Sequence, residues 1–493
     1  MSAETEISAG NDGAGTKNSA ETQVDALIIG AGMSGLAAGI RLAHFGKKVL
    51  LVERHGAVGG LNSFYARGGR VFDVGLHAMT NFVPAGTKGA PLTKILRQLR
   101  IRYDELDLCP QRESEIHAFG NRLRFSNDFG LFESEIARAF PQQIDAFRRL
   151  AVFLQNYDAT ALDAAESSAR ECVGEFISSR ELTDSIFLPL SFYGSSVADD
   201  MPLPQFAVMW RSIFREGLAR PHNGVRQILR LLVKKFSDAG GIRKMRCGVR
   251  RIAVEQNRAV GAELDDGTFV RAGTIFSSAG ATETLRLCDG VPADFGAENV
   301  GKISFCETIS VFDGVPAPTF GNGPTIIFFN DAERFSYRAP QGPADLRSGA
   351  ICIPNNYAWS DAARAPRDAC LRVTCLANYD FWKTLRGNGE ENYTMAKALL
   401  HERLFDVALA HLPAELSAEK LRASLAATDV FTPLTVERFT GKLGGAIYGA
   451  TRKNRTGTTP FERLFLCGTD QGFLGITGSM LSGISMANLH ALA

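Results

Sequence analysis

The sequence predicts an α/β fold, a parallel sheet flanked by helices, accompanied by a second, α+β domain. Three observations carry this. Between Val24 and Glu53 an apolar run, a glycine-rich turn, a helical stretch and a second apolar run follow one another. Short alternating, strand-like segments recur at 245–290, far from that first unit. The length of 493 residues exceeds what one hydrophobic core supports and favours two or three domains.

Each part of the first unit has a physical reason. Ala26-Leu27-Ile28-Ile29 is short and partly β-branched, as a strand buried on both faces should be. Gly30, Gly32 and Gly35 form G-x-G-x-x-G, and an Ala/Leu-rich stretch runs on to about His44. Gly30 permits the sharp turn out of the strand. Gly32 removes a side chain where backbone must approach a pyrophosphate, and Gly35 lets helix and strand pack closely. The helix N-terminus offers free N–H groups and the positive end of its dipole to phosphates. Val49-Leu50-Leu51-Val52 ends in Glu53, roughly twenty residues beyond the glycines, where a carboxylate accepts ribose hydroxyls. The unit reads as a Rossmann-type dinucleotide-binding domain, and the acid favours FAD or NAD over NADP.

Composition excludes several classes. A net charge of +1 gives no basic excess for nucleic acid. The nine cysteines show neither C-x-x-C nor a His/Cys metal spacing, so no metal site is expected and they read as packing residues in a reducing compartment. Cys370 and Cys375 lie in an apolar stretch, which favours packing over a redox pair. Residues 1–23 are nearly devoid of apolar side chains and are expected to be disordered. They lack a signal-peptide pattern, and no apolar run reaches membrane-spanning length, so the expected location is the cytoplasm.

Beyond Glu53, Gly59-Gly60 marks a tight backbone passage. Gly68-Gly69 opens a hairpin that leads through Phe72-Asp73-Val74-Gly75-Leu76-His77. Leu131–Leu154 and Val173–Arg180 carry helical spacing. Phe206, Met209, Trp210 and Phe214 form an aromatic cluster that reads either as core or as the lining of a substrate tunnel. Asp265-Asp266-Gly267 is a hairpin turn signal. Strand-like segments at Ile303–Phe312, Thr325–Phe329 and Leu371–Ala377 predict an antiparallel sheet under helices, one of them at Tyr393–Leu412.

The order G-x-G-x-x-G, acid, Gly-Gly, then FDVGLHAM resembles the phytoene desaturase, carotenoid isomerase and retinol saturase group of FAD-dependent oxidoreductases, within the amine-oxidase-like flavoproteins; FDVGLHAM is most similar to the saturases. Three later segments extend the resemblance over roughly 24–493: Pro221-His222-Asn223-Gly224, where Asn223 replaces a family glycine; TPLTVERFT followed by GGAIYG; and LFLCGTD followed by GITGSMLSG.

The resemblance implies an FAD-binding domain in three parts (24–80, 225–290, 456–493) and a substrate domain in two (81–224, 291–455). It implies that Gly59 and Gly60 make a second close pass over the cofactor. The backbone of Val249 would hold the adenine, and Asp470 would lie beside the pyrophosphate or ribityl chain, its carboxylate accepting hydroxyls. Gly478 and Ser479 would open a final helix under the flavin, and His77 would face it as the candidate catalytic side chain. The implied substrate is a hydrophobic isoprenoid or polyene, changed by desaturation, saturation or cis–trans isomerisation. Substrate insolubility motivates an expectation of peripheral membrane contact through Phe206–Phe214. The alternatives are amine-oxidase-like chemistry on a polar substrate and a flavin carrier without turnover. Oligomeric state is left open.

Overall fold

The computed structural model describes residues 22–159, 161, 167–313, 320, 323–359, 366, 368–413 and 417–493. The expected disordered tail therefore lies outside the described residues up to position 21, and the first strand already begins at Thr22.

Strand β1 (Thr22–Ile29), helix α1 (Met33–His44) and strand β2 (Val49–Glu53) form the predicted unit. The sheet order is Ile242–Met245, β2, β1, Phe269–Ser277, Arg258–Leu264, Val249–Glu255. Leu464–Leu466 pairs in parallel with the end of Phe269–Ser277. The strands around β1 run parallel, whereas the last three form an antiparallel meander at the edge. Ala26 to Ile29 are all buried, because helices cover one face and the meander core the other. Gly35 has the expected packing role, since a β-carbon there would sit 2.0 Å from the Gly30 carbonyl oxygen. Gly483 makes a matching contact, 2.0 Å from Ser34 O, and so draws the carboxy-terminal helix Gly475–Ala487 against α1.

The second domain is built on a seven-stranded sheet in the order Leu425–Phe431, Ser304–Phe312, Ala369–Ala377, Ser348–Cys352, Ile326–Asn330, Ser114–Ala118, Asn121–Phe125. It is antiparallel apart from the pair Ile326–Asn330 with Ser114–Ala118. Helices Tyr379–Gly387 and Glu390–His411 cover one face through Trp382, Leu404 and Phe405. Cys370 and Cys375 are five apart on one strand, so they point to opposite faces and cannot pair.

Several expectations change. Leu131–Leu154 is two helices, Phe129–Ala139 and Ile144–Asn156, broken where Pro141 lacks an N–H. Val173–Arg180 likewise spans the end of Ala169–Gly174 and the start of Arg180–Gly194, whose cap Ser179 accepts Leu182 N–H at 3.3 Å. Helix Pro91–Leu99, placed with the substrate domain by the 81–224 boundary, packs instead into the nucleotide-domain core with α1 and the last helix. The Phe206–Phe214 cluster is fully buried among the helices of the second domain. Side chains without exposure cannot meet a lipid surface, so this stretch is not a membrane contact.

Candidate functional site

A cavity of about 990 Å³ runs between the two domains. Its dinucleotide end begins at the glycine turn. Gly30 has φ +97°, and a β-carbon there would collide with Ser278 Oγ at 2.4 Å. Gly32 differs: its would-be β-carbon meets nothing within 4 Å and points into open space. That space, at the N-terminus of α1, is the room a phosphate group needs. Gly59, at φ +111°, donates its N–H to Ala31 O at 2.8 Å, and with Gly60 it lines the wall beside Gly32. Glu53 also lines it, with Oε2 accepting Ala31 N–H and Oε1 accepting His55 N–H, each at 2.8 Å. Val249 lies on the same wall. These residues fit an extended dinucleotide.

Two expected residues stand elsewhere, while Gly35 keeps its expected packing role, away from the cavity. Asp470 is buried behind the wall, Oδ2 taken by Ala281 N–H at 2.6 Å and Oδ1 by Ala450 N–H at 2.8 Å. Burial pushes its carboxyl up, but Lys442, Lys453 and these amides outweigh burial and hold it below its usual range. It braces the loops, while Gly468 and Thr469 before it face the cavity. The last helix opens at Gly475, three residues ahead of the expected Gly478, so Gly475, Ile476 and Ser479 face the cavity and Gly478 does not.

His77 lines the far end. The hairpin of β3 (Phe64–Arg67) and β4 (Arg70–Asp73) leads to it. Asp73 pairs with buried Arg220 at 2.5 Å, and Arg220 also donates to Leu76 O at 2.8 Å. Tyr357 hydroxyl donates to His77 O at 2.8 Å. The segment is thus held from three sides.

The imidazole belongs to a network that sequence reasoning did not find. Nε2 lies 3.1 Å from Glu307 Oε2 and 3.1 Å from Thr374 Oγ1. Glu307 Oε1 takes Arg372 Nε at 2.7 Å and a second guanidinium N–H, and Arg372 also donates to Leu76 O at 3.0 Å. Burial pushes the Glu307 carboxyl up, but Arg372 and His77 outweigh it and hold it at about 2. An ionised carboxylate only accepts, so Nε2 is the nitrogen that carries a proton toward Glu307, and Nδ1 is the nitrogen left to exchange one. Register explains the meeting: Glu307 faces Thr374 across neighbouring strands, and Arg372 lies two residues further on the same face.

Apolar and aromatic side chains complete this end, including Phe64, Phe192, Tyr193, Phe305, Ile447 and Tyr448. A second acid, Asp429, accepts Tyr65 hydroxyl at 2.6 Å and pairs with Arg67 at 3.2 Å. His222, in the crossing loop, stacks edge-on against Trp359 and does not line the cavity.

A dinucleotide cradle on one domain, closed by a largely apolar chamber on the other, defines a flavoprotein oxidoreductase. The family model for flavin containing amine oxidoreductases matches residues 33–279. All-trans-retinol 13,14-reductase of Danio rerio is 22% identical, over 95% of this chain and 87% of that protein. Prolycopene isomerase of Daucus carota is 23% identical over 94% and 80%. A phytoene desaturase of Pseudescherichia vulneris is 24% identical over 53% and 56%. Among solved structures, an oxidoreductase from Methanosarcina mazei superposes with a TM-score of 0.64 at 17% identity, over 94% of this chain and 99% of that one. Putrescine oxidase bound to putrescine superposes with a TM-score of 0.60 at 16% identity, over 95% and 98%. The chain belongs to the flavin containing amine oxidoreductase family. It is an FAD-dependent oxidoreductase of the group that includes the phytoene desaturases, carotenoid isomerases and retinol reductases. Among the described residues no helix is long and apolar enough to cross a membrane.

Proposed function

We propose that the substrate is a hydrophobic isoprenoid polyene, carotenoid- or retinoid-like, altered by desaturation, saturation or cis–trans isomerisation. The observation that carries this is the cavity's far end: an apolar and aromatic chamber whose buried acid is already neutralised by Arg372. FAD, when bound, supplies the two-electron exchange. The chain's own residues exclude water, align the substrate and handle the proton. In desaturation a proton leaves the carbon next to the one that loses hydride, and His77 Nδ1 is the lone pair suited to take it. Glu307 fixes the tautomer, and the Arg372 pair keeps the carboxylate ionised. Saturation runs the same exchange in reverse; isomerisation needs no net proton transfer. The relatives' printed activities on retinol, prolycopene and phytoene support the same substrate class.

One feature favours a second reading, amine oxidation: Glu307 and Asp429 both line the cavity. Each is already engaged by an arginine, so neither offers free charge to a substrate ammonium. Flavin-loaded protein given polyenes and, separately, primary amines tests this. Conversion of a polyene with no amine oxidised supports the proposal; turnover of amines alone overturns it.

A further inference from the structure

Lys442, in the loop after helix Pro433–Thr440, is a buried cation whose ammonium makes no hydrogen bond. It is 5% exposed, and its Nζ makes no hydrogen bond. The nearest acid oxygen, Asp470 Oδ1, is 4.0 Å away and already accepts Ala450 N–H. The other neighbouring acid, Glu283, accepts Leu443 N–H through Oε1 at 3.0 Å. A side-chain carbon on Gly280 would meet Lys442 Nζ at 2.7 Å and Glu283 Oε2 at 2.2 Å, so ammonium and carboxylate flank that glycine.

Leaving an ammonium dry and unbonded is costly, and three donors call for acceptor oxygens. Lys442 lines the cavity, which places its ligand there. The Gly280 loop begins at Ser278, which donates through both N–H and Oγ to Ile29 O at 2.9 and 3.0 Å, directly before the Gly30 turn. The anionic part of FAD at that turn is its diphosphate. We propose that Lys442 binds the FAD diphosphate, a cation reaching from the second domain to complete the cradle of the first. This tethers the two domains through the cofactor. It rests on the FAD assignment and not on the choice of substrate.

The test is the affinity of the purified protein for FAD, with ADP and adenosine as competitors, in wild type, Lys442→Met, Lys442→Arg and Glu283→Gln. Loss of a charge-assisted hydrogen bond predicts FAD and ADP weakened by about 10- to 100-fold in Lys442→Met. Adenosine, which lacks phosphate, is expected to bind unchanged, and Lys442→Arg to restore FAD to within about threefold, the guanidinium keeping the charge. Glu283→Gln, which removes the opposing charge, is expected to tighten ADP. Equal weakening of ADP and adenosine, or an FAD affinity within about twofold of wild type, would mean that Lys442 serves only as a counterion to Asp470 and Glu283, and the proposal fails. If Lys442→Met does not fold, a weaker ADP affinity in Glu283→Gln overturns the proposal and a tighter one supports it.

Discussion

Replacing Glu307 by Gln keeps the side-chain shape but removes the charge that Arg372 and His77 share. The carboxyl is held from 4.5 to about 2 in the folded protein despite its burial. By linkage that is worth about 3 kcal/mol at neutral pH, since each pH unit is worth about 1.4 kcal/mol. Breaking a buried pair and stranding its arginine gives a cost of the same size, about 3–5 kcal/mol. Because the folded value lies below the unfolded one, this stabilisation is present above pH 4.5 and disappears as pH falls toward 2. Glu307→Gln is therefore expected to be about 3 kcal/mol less stable than wild type at pH 7 and only about 2 kcal/mol less stable near pH 3.5. Urea unfolding at matched excess FAD measures it, because bound cofactor adds its own stability. Trp210 and Trp382, both fully buried, report the transition by fluorescence. A loss under about 1 kcal/mol at pH 7, or one that does not shrink at acid pH, would refute the reasoning.

His77→Gln is expected to retain FAD but to lower turnover by about 100-fold or more, the usual contribution of a positioned acid–base group; unchanged turnover would reduce His77 to a structural role. Gly32→Val, whose side chain would project into open cavity, is expected to fold normally yet lose FAD, read by flavin absorbance after gel filtration. Gly35→Ala, whose methyl would sit 2.0 Å from Gly30 O, is expected instead to lower the melting temperature of the protein itself; the reverse pattern would contradict the roles assigned to the two glycines. Trp210→Ala is expected to cost about 3–5 kcal/mol of stability while leaving liposome binding as it is in wild type; reduced liposome binding at unchanged stability would put the cluster on the surface.

Local chemistry made much of this legible in advance. The β1–α1–β2 unit was readable because turn, strand and helix signals fall within thirty contiguous residues, each with its own steric reason. Gly30, Gly32 and Glu53, read from the residues, and Gly59, Gly60, Val249, His77 and Ser479, implied by the family resemblance, all line the cavity. Asp470 was misplaced because a conspicuous acid after a strand can equally accept backbone amides, and only the folded loops show that Ala281 and Ala450 claim it. The Glu307–Arg372–Thr374 network was missed because its members are 65 and 67 residues apart and meet through sheet register. A signal did exist: Glu307 and Arg372 are the single charges inside otherwise uncharged strands, and a buried charge needs a partner. Lys442 carried no such signal, because its isolation becomes visible only once the second domain closes over the first. The 81–224 boundary took in helix Pro91–Leu99 for a related reason, since nothing local in a segment says which of two cores it will join.

The central claim is that this FAD-dependent oxidoreductase acts on an apolar polyene. The most direct test is mass spectrometry with chromatography of polyenes after incubation with flavin-loaded protein, run in parallel with oxidised and with reduced flavin. The account predicts a product lighter or heavier by a pair of hydrogens, or one of equal mass at a shifted retention time. No change in any polyene, alongside oxidation of an amine by the same preparation, would contradict it.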